Sequence, residues 1–147
     1  MILLCGLPGS GKTTLAKRLA SEVPAVRLSP DEWLTDLGVD LFDEPFRARL
    51  ERRFCKLARD LLGLGQNVVL ESGFWSRAER DGMRAVGRAV GAVVELRYLA
   101  VPFDELVRRL DARDGPVLIS QELLAEYEQV FQAPDDEELA LFDHMDG

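Results

Sequence analysis

Gly6-Leu7-Pro8-Gly9-Ser10-Gly11-Lys12-Thr13 is the stretch on which the reading of this 147-residue chain turns. It fills every fixed position of G-x-x-x-x-G-K-[ST]. The apolar run Ile2 to Cys5 precedes it and reads as a buried strand. Thr13 to Ser21 follows, with Leu15, Ala16 and Leu19 at helical spacing. Each residue type has a physical reason. Glycines let the backbone curl so that successive N–H groups converge on an anion, and the next helix adds its positive end. Lys12 supplies a mobile charge for β- and γ-phosphates, and the Thr13 hydroxyl suits Mg²⁺. Gly6 to Thr13, with Thr14 beside them, are therefore expected to bind a nucleoside triphosphate. The loop does not say which purine it takes, or what becomes of the phosphate.

Outward from the loop, apolar runs alternate with amphipathic ones. Ala25 to Leu28 reads as a second strand, closed by Ser29-Pro30-Asp31-Glu32, a helix start with Ser29 as cap and Pro30 in the first turn. Phe46, Leu50, Phe54, Leu57, Leu61 and Leu64 step by three or four along one helix face, which Gly65 ends. Asn67 to Glu71 is a third strand, and Arg77 to Val90 is a helix with Met83, Val86 and Val90 inward. A fourth strand lies within Val93 to Ala100, and helices follow over Pro102–Arg113 and Gln121–Gln132. Strand–helix alternation of this kind predicts an α/β, three-layer P-loop NTPase fold: a parallel sheet of four to five strands with helices on both faces. The whole of 1–147 reads as a single domain, with 134–147 as an acidic tail strapped on or frayed.

Composition narrows the partners. Eighteen Lys and Arg against 26 Asp and Glu give a net charge of −8, a field that disfavours a nucleic-acid coat or an anionic-membrane binder. No apolar run approaches the ~20 residues of a membrane span. The start carries no basic leader, and the two cysteines, Cys5 and Cys55, form no framework. A cytoplasmic, reducing location is the expectation.

No N-K-x-D stretch for guanine is present, and the chain is too short for a large ATPase. Phosphoryl transfer to a bound hydroxyl then becomes the expected use of the loop. Asp31, just past the second strand, stands on the rim where open α/β sheets bind ligands, and is the candidate base; an acid in a first helical turn also suits the dipole. Glu71 ends the third strand and is the candidate Mg²⁺ or acceptor carboxylate. Arg109 and Arg113 lie four apart on one helix before an Asp114-Gly115-Pro116 turn, where a phosphoryl group would offset their repulsion; the alternative is a solvated face paired through Glu105. Phe74 and Trp75 follow the third strand and would stack on an acceptor or cap the core. Arg49, Arg52, Lys56 and Arg59 form one basic stripe, and Arg77, Arg80, Arg84 and Arg88 another. Such stripes are usually solvated.

In this order the features resemble the small P-loop kinases of an AAA-like ATP-binding domain family, related to the kinase domain of polynucleotide kinase, to chloramphenicol phosphotransferase and to zeta toxins. The resemblance rests on Gly6 to Thr13, Leu28 to Asp31, Val68 to Glu71 with Phe74 to Arg77, Arg109 to Arg113, and Phe131 to Pro134. It implies ATP and Mg²⁺ as cosubstrates, a five-stranded core, Asp31 as the activating acid, Arg109 and Arg113 as lid arginines, and Phe131 to Pro134 near adenine. Arg77 would join Asp31, Glu71, Phe74 and Trp75 on the acceptor side. Relatives often carry an arginine where this chain has Leu34, and an aspartate where it has Glu71. The expected function is an ATP-dependent kinase acting on a small-molecule hydroxyl. The alternatives are a nucleoside or nucleic-acid 5′-hydroxyl kinase and a non-catalytic nucleotide-binding module.

Overall fold

The computed structural model describes residues 1–113 and 119–144. Along them run β1 (Ile2–Cys5), α1 (Lys12–Glu22), β2 (Ala25–Leu28), α2 (Pro30–Asp36), α3 (Glu44–Gly63), β3 (Asn67–Gly73), α4 (Arg77–Ala89), β4 (Glu95–Tyr98), α5 (Phe103–Asp111), α6 (Gln121–Val130) and α7 (Asp136–Leu139). The four strands form one parallel sheet in the order β2-β3-β1-β4. Period-two alternation divides each central strand between two cores. Leu3 and Cys5 of β1 and Val68 and Leu70 of β3 face a large cluster with Leu34, Leu50, Phe54 and Met83. Leu4 and Val69 face the opposite cluster, with Ala16, Leu15 and Leu19 of α1. The sheet is thus the middle of three layers, as the alternation predicts. A third cluster, Leu7, Leu106, Leu110 and Leu124, seats α5 and α6 beside the loop.

Local chemistry fixes the helix starts near the site. Ser29 accepts from the Glu32 amide at 3.3 Å and opens α2, with Pro30 in its first turn. Asp43 accepts from the Phe46 amide at 3.1 Å to open α3, and Ser76 accepts from the Glu79 amide at 3.1 Å to open α4.

Several sequence expectations need correction. Leu64, one residue past α3, is 78% exposed, and Val90, one residue past α4, is 37% exposed; each lies beyond its helix, where the apolar spacing no longer sets the side chain's direction. The helix expected to reach Gln132 ends at Val130, since the Gln132 amide donates to the Trp75 carbonyl at 2.8 Å instead of continuing the helix. Arg80, placed by its spacing on a basic stripe, is 1% exposed. No fifth strand joins the sheet among the described residues. The expected turn at Asp114 to Pro116 lies outside the described residues. The acidic tail is strapped on rather than frayed: Glu138 and Phe142 are both buried at 3% exposure. Among the described residues no helix is long and apolar enough to cross a membrane.

Candidate active site

The loop from Gly6 to Gly11 connects β1 to α1, and its path needs glycine. Gly9 and Gly11 have φ of +83° and +98°, the left-handed region that costs an ordinary side chain most. Gly73 at the end of β3 has φ +87°, and a Cβ there would come within 3.0 Å of Trp75 Nε1 and 3.3 Å of the Gly6 carbonyl. The Gly6 amide in turn donates to the Gly73 carbonyl at 3.0 Å. The entrance to the loop and the end of β3 are therefore stitched together by backbone.

Lys12 folds back over this loop. Its Nζ donates to the Gly6 and Leu7 carbonyls at 3.0 and 2.9 Å. Burial lowers its pKa to about 8, and the carboxylate of Asp31 works in the opposite direction. A lysine that gives up hydration and is held only by carbonyl dipoles is poised for an anion.

The loop opens onto a cavity of about 650 Å³. Pro8, Gly9, Gly11, Lys12, Thr13 and Thr14 line it on one side. Asp31, Glu71, Trp75 and Arg113 also line it, so four further residues expected from the sequence converge there from three parts of the chain. Arg109 lies against the loop itself, with Nη1 donating to the Gly9 carbonyl at 3.3 Å and Nε to Glu105 at 3.0 Å. Gly6, Leu7 and Ser10 do not line the cavity; all three are buried, and Leu7 packs against α5.

Two expected acceptor contacts are placed elsewhere. Phe74 is 4% exposed in the main core cluster, so it caps the core and does not line the cavity. Arg77 is not among the lining residues; it pairs with Asp81, one turn along α4, at 3.0 Å. None of Arg49, Arg52, Lys56 and Arg59 lines the cavity either, and all four are exposed.

The structure adds residues that the sequence did not single out. Arg47 of α3 donates to Asp31 at 2.6 Å and to the Leu41 carbonyl at 3.0 Å, which orients the candidate base. Arg27 of β2 reaches Glu71 at 2.9 Å and Glu32 at 3.1 Å. The register explains the first of these contacts: Arg27 pairs with Val69, and Glu71 lies two residues on, on the same sheet face. An arginine inside an otherwise apolar strand was the available signal. Burial raises the Glu71 pKa, while its contacts with Arg27 oppose the rise. Glu44, Glu51, Glu79 and Tyr127 complete the far wall, where the rings of Tyr127 and Trp75 lie 4.9 Å apart.

Thr13 and Glu71, which line the same cavity, offer a hydroxyl and a carboxylate, a donor set that suits Mg²⁺. No group of three or more His, Cys, Asp or Glu among the described residues forms a metal cage. A cation that keeps waters and takes most of its other ligands from phosphate needs none.

A domain family described as the AAA domain matches residues 1–134. The chain belongs to that family. It is 34% identical over 140 residues to a shikimate kinase of Nitrosomonas europaea, covering 91% of this chain and 64% of that protein. A cytidylate kinase of Ignicoccus hospitalis is 29% identical over 129 residues, covering 78% of this chain and 65% of that one. The chain thus spans just under two thirds of the length of both relatives. Among solved structures, one of the Pnkp1/Rnl/Hen1 RNA repair complex superposes with a TM-score of 0.77 at 23% identity, over 97% of this chain and 45% of that one. A gluconokinase from Sinorhizobium meliloti 1021 gives 0.66 at 19% identity, over 92% and 77%. The fold is that of the small P-loop kinases.

Proposed function

We propose that this protein is an ATP-dependent kinase that transfers the γ-phosphoryl group to a hydroxyl of a small-molecule acceptor. The observation that carries the reading is one cavity, with Lys12 and the loop at one wall and Asp31, oriented by Arg47, at another. A carboxylate held by Arg47 in the same cavity as the phosphate loop favours a reacting acceptor over nucleotide binding alone. Kinases named for shikimate and cytidylate among the relatives support transfer as the use of the loop. None of the exposed α3 cations that favoured a nucleic-acid acceptor lines the cavity.

In the proposed reaction the acceptor oxygen attacks the γ-phosphorus, the bond from that phosphorus to the β–γ bridging oxygen breaks, and ADP leaves. Asp31 accepts the hydroxyl proton as the new P–O bond forms. Lys12 exchanges its two carbonyl partners for phosphate oxygens, and the loop amides take the rest of the negative charge. Arg113, in the cavity, and Arg109, on the loop, bear on charge that builds on the equatorial oxygens. Thr13 and Glu71 would hold Mg²⁺, which when bound neutralises phosphate charge. The far wall, with Trp75 and Tyr127, would seat the acceptor.

The test is a screen of labelled ATP against hydroxyl-bearing metabolites, nucleosides, antibiotics and short oligonucleotides. Asp31→Asn is expected to lower transfer by about 10²–10⁴-fold while nucleotide affinity stays within a factor of two or so, because a base acts on the reaction and not on binding. Lys12→Ala is expected to weaken nucleotide binding itself. Equal losses of binding and transfer in Asp31→Asn would remove it from the base role.

A further inference from the structure

Phe74 is the one non-glycine residue with positive φ, +50°, among the described residues. A bulky side chain rarely adopts that conformation, and it persists only where surrounding contacts over-determine it. The contacts are present. The Phe74 carbonyl accepts from Arg80 Nη1 at 2.8 Å and from Cys5 Sγ at 3.3 Å. Arg80 is fully enclosed, and its Nε and Nη2 donate to the two oxygens of Glu138 at 2.5 and 2.9 Å. Glu138 belongs to α7 in the tail, and its own amide is capped by Asp135 at 2.8 Å. The guanidinium fork thus grips the tail carboxylate, while Nη1 on its other side donates to the Phe74 carbonyl and lies 4.0 Å from the Cys5 sulfur.

A buried ion pair is a poor device for stability alone, since apolar residues of like volume often serve as well. What this pair does is fix a direction. The residue after Phe74 is Trp75, which lines the cavity. Its Nε1 donates at 3.2 Å to the Gly6 carbonyl, the same oxygen that holds Lys12 at 3.0 Å. Its carbonyl accepts from Gln132, and its ring lies against Tyr127. A continuous line of polar contacts therefore runs from Glu138 through Arg80 and the Phe74 peptide to Trp75, Gly6 and Lys12.

We infer that Arg80, clamped by Glu138, is a positioning residue that holds the Phe74 peptide in its left-handed conformation and so sets Trp75 against the phosphate loop and the acceptor cavity. The inference rests on reading that cavity as the active site, and it makes the acidic tail part of the site's support.

The test uses the full chain in a Trp33→Phe background, so that Trp75 is the sole tryptophan. Replacing both partners, Arg80→Met with Glu138→Leu, removes the clamp without stranding a buried charge. The expected result is a cooperative fold with Trp75 more open to acrylamide quenching and ATP binding weakened roughly tenfold, as for the loss of a charge-assisted hydrogen bond. Where an acceptor is known, its KM should rise more than kcat falls. Glu138→Gln, nearly isosteric, should show smaller changes in the same direction and replaces the paired variant if that one does not fold. Unchanged quenching and ATP affinity in a folded variant would overturn the inference. So would failure of both variants to fold, which would assign the pair to stability alone. Neither readout needs phosphate transfer. A parent protein that bound ATP and phosphorylated nothing would sink the kinase reading and leave this test standing.

Discussion

Glu51 shows how a single residue carries the character of the cavity. It lines the far wall, and its pKa is pushed up to about 7, first by burial and then by the like charge of Glu79 on α4. Glu44 on its own helix and Asp31 on α2 push the same way, and Arg47 opposes them. A carboxyl whose proton is held more tightly in the folded chain makes the fold bind more protons than the unfolded chain between about pH 4.5 and 7. Stability is therefore lost as pH rises through that window. Glu51→Gln removes the titration. It is expected to stabilise the protein by about 1 kcal/mol at pH 8, allowing for solvent screening, and to change little at pH 4. Urea unfolding at the two pH values checks it; an equal effect at both would remove the titration from the account. The sequence could name Asp31 and Glu71 from their places at strand ends, because position relative to a strand is local information. It could not name Arg47 or Arg27 as their partners. Those contacts span 16 and 44 residues and exist only once helix and strand have docked.

At the scale of elements, periodicity was legible wherever one face is buried. β1 and β3 could be read because each is apolar on both faces, and α3 because its stripe meets the sheet over most of its length. The ends were less legible, because they depend on where the neighbouring layer stops. Gly87 is a position where a helix meets its strand more closely than the pattern shows. A Cβ there would stand 2.5 Å from Val94 Cγ2 and 2.9 Å from Met1 Cε. The methionine end can swing aside; the stiff valine at the start of the β4 region cannot. Gly87→Ala in an exposed helix would gain about 1 kcal/mol of helix propensity. Here overpacking costs about 1–3 kcal/mol, so a net loss near 1 kcal/mol is expected. A lowered urea midpoint with an unchanged slope would bear this out. A raised midpoint would mean that α4 moves off the sheet without penalty.

At the scale of the whole molecule, the family match and the folded core end in different places. The matched region stops at residue 134, yet Glu138 neutralises the buried Arg80, Phe142 packs in the main cluster, and Asp143 accepts from the Val94 amide at 2.9 Å. An acidic tail looks dispensable by composition because its buried residues, Pro134, Glu138 and Phe142, are separated by more exposed ones in a short segment. What seats it is a charge on α4 that composition assigns to the surface. Ending the chain at Pro134 would strand Arg80 as a buried unpaired cation, at about 3–5 kcal/mol. Loss of the Phe142 ring adds about 3–5 kcal/mol. Together these rival the whole stability of a domain this size, about 5–15 kcal/mol. The truncated chain is expected to lack a cooperative thermal transition by circular dichroism. Arg80→Met introduced into it is expected to recover part of that transition, since the stranded charge goes with the arginine. A truncated chain that melted like the parent would show the tail to be an ornament on a core complete without it.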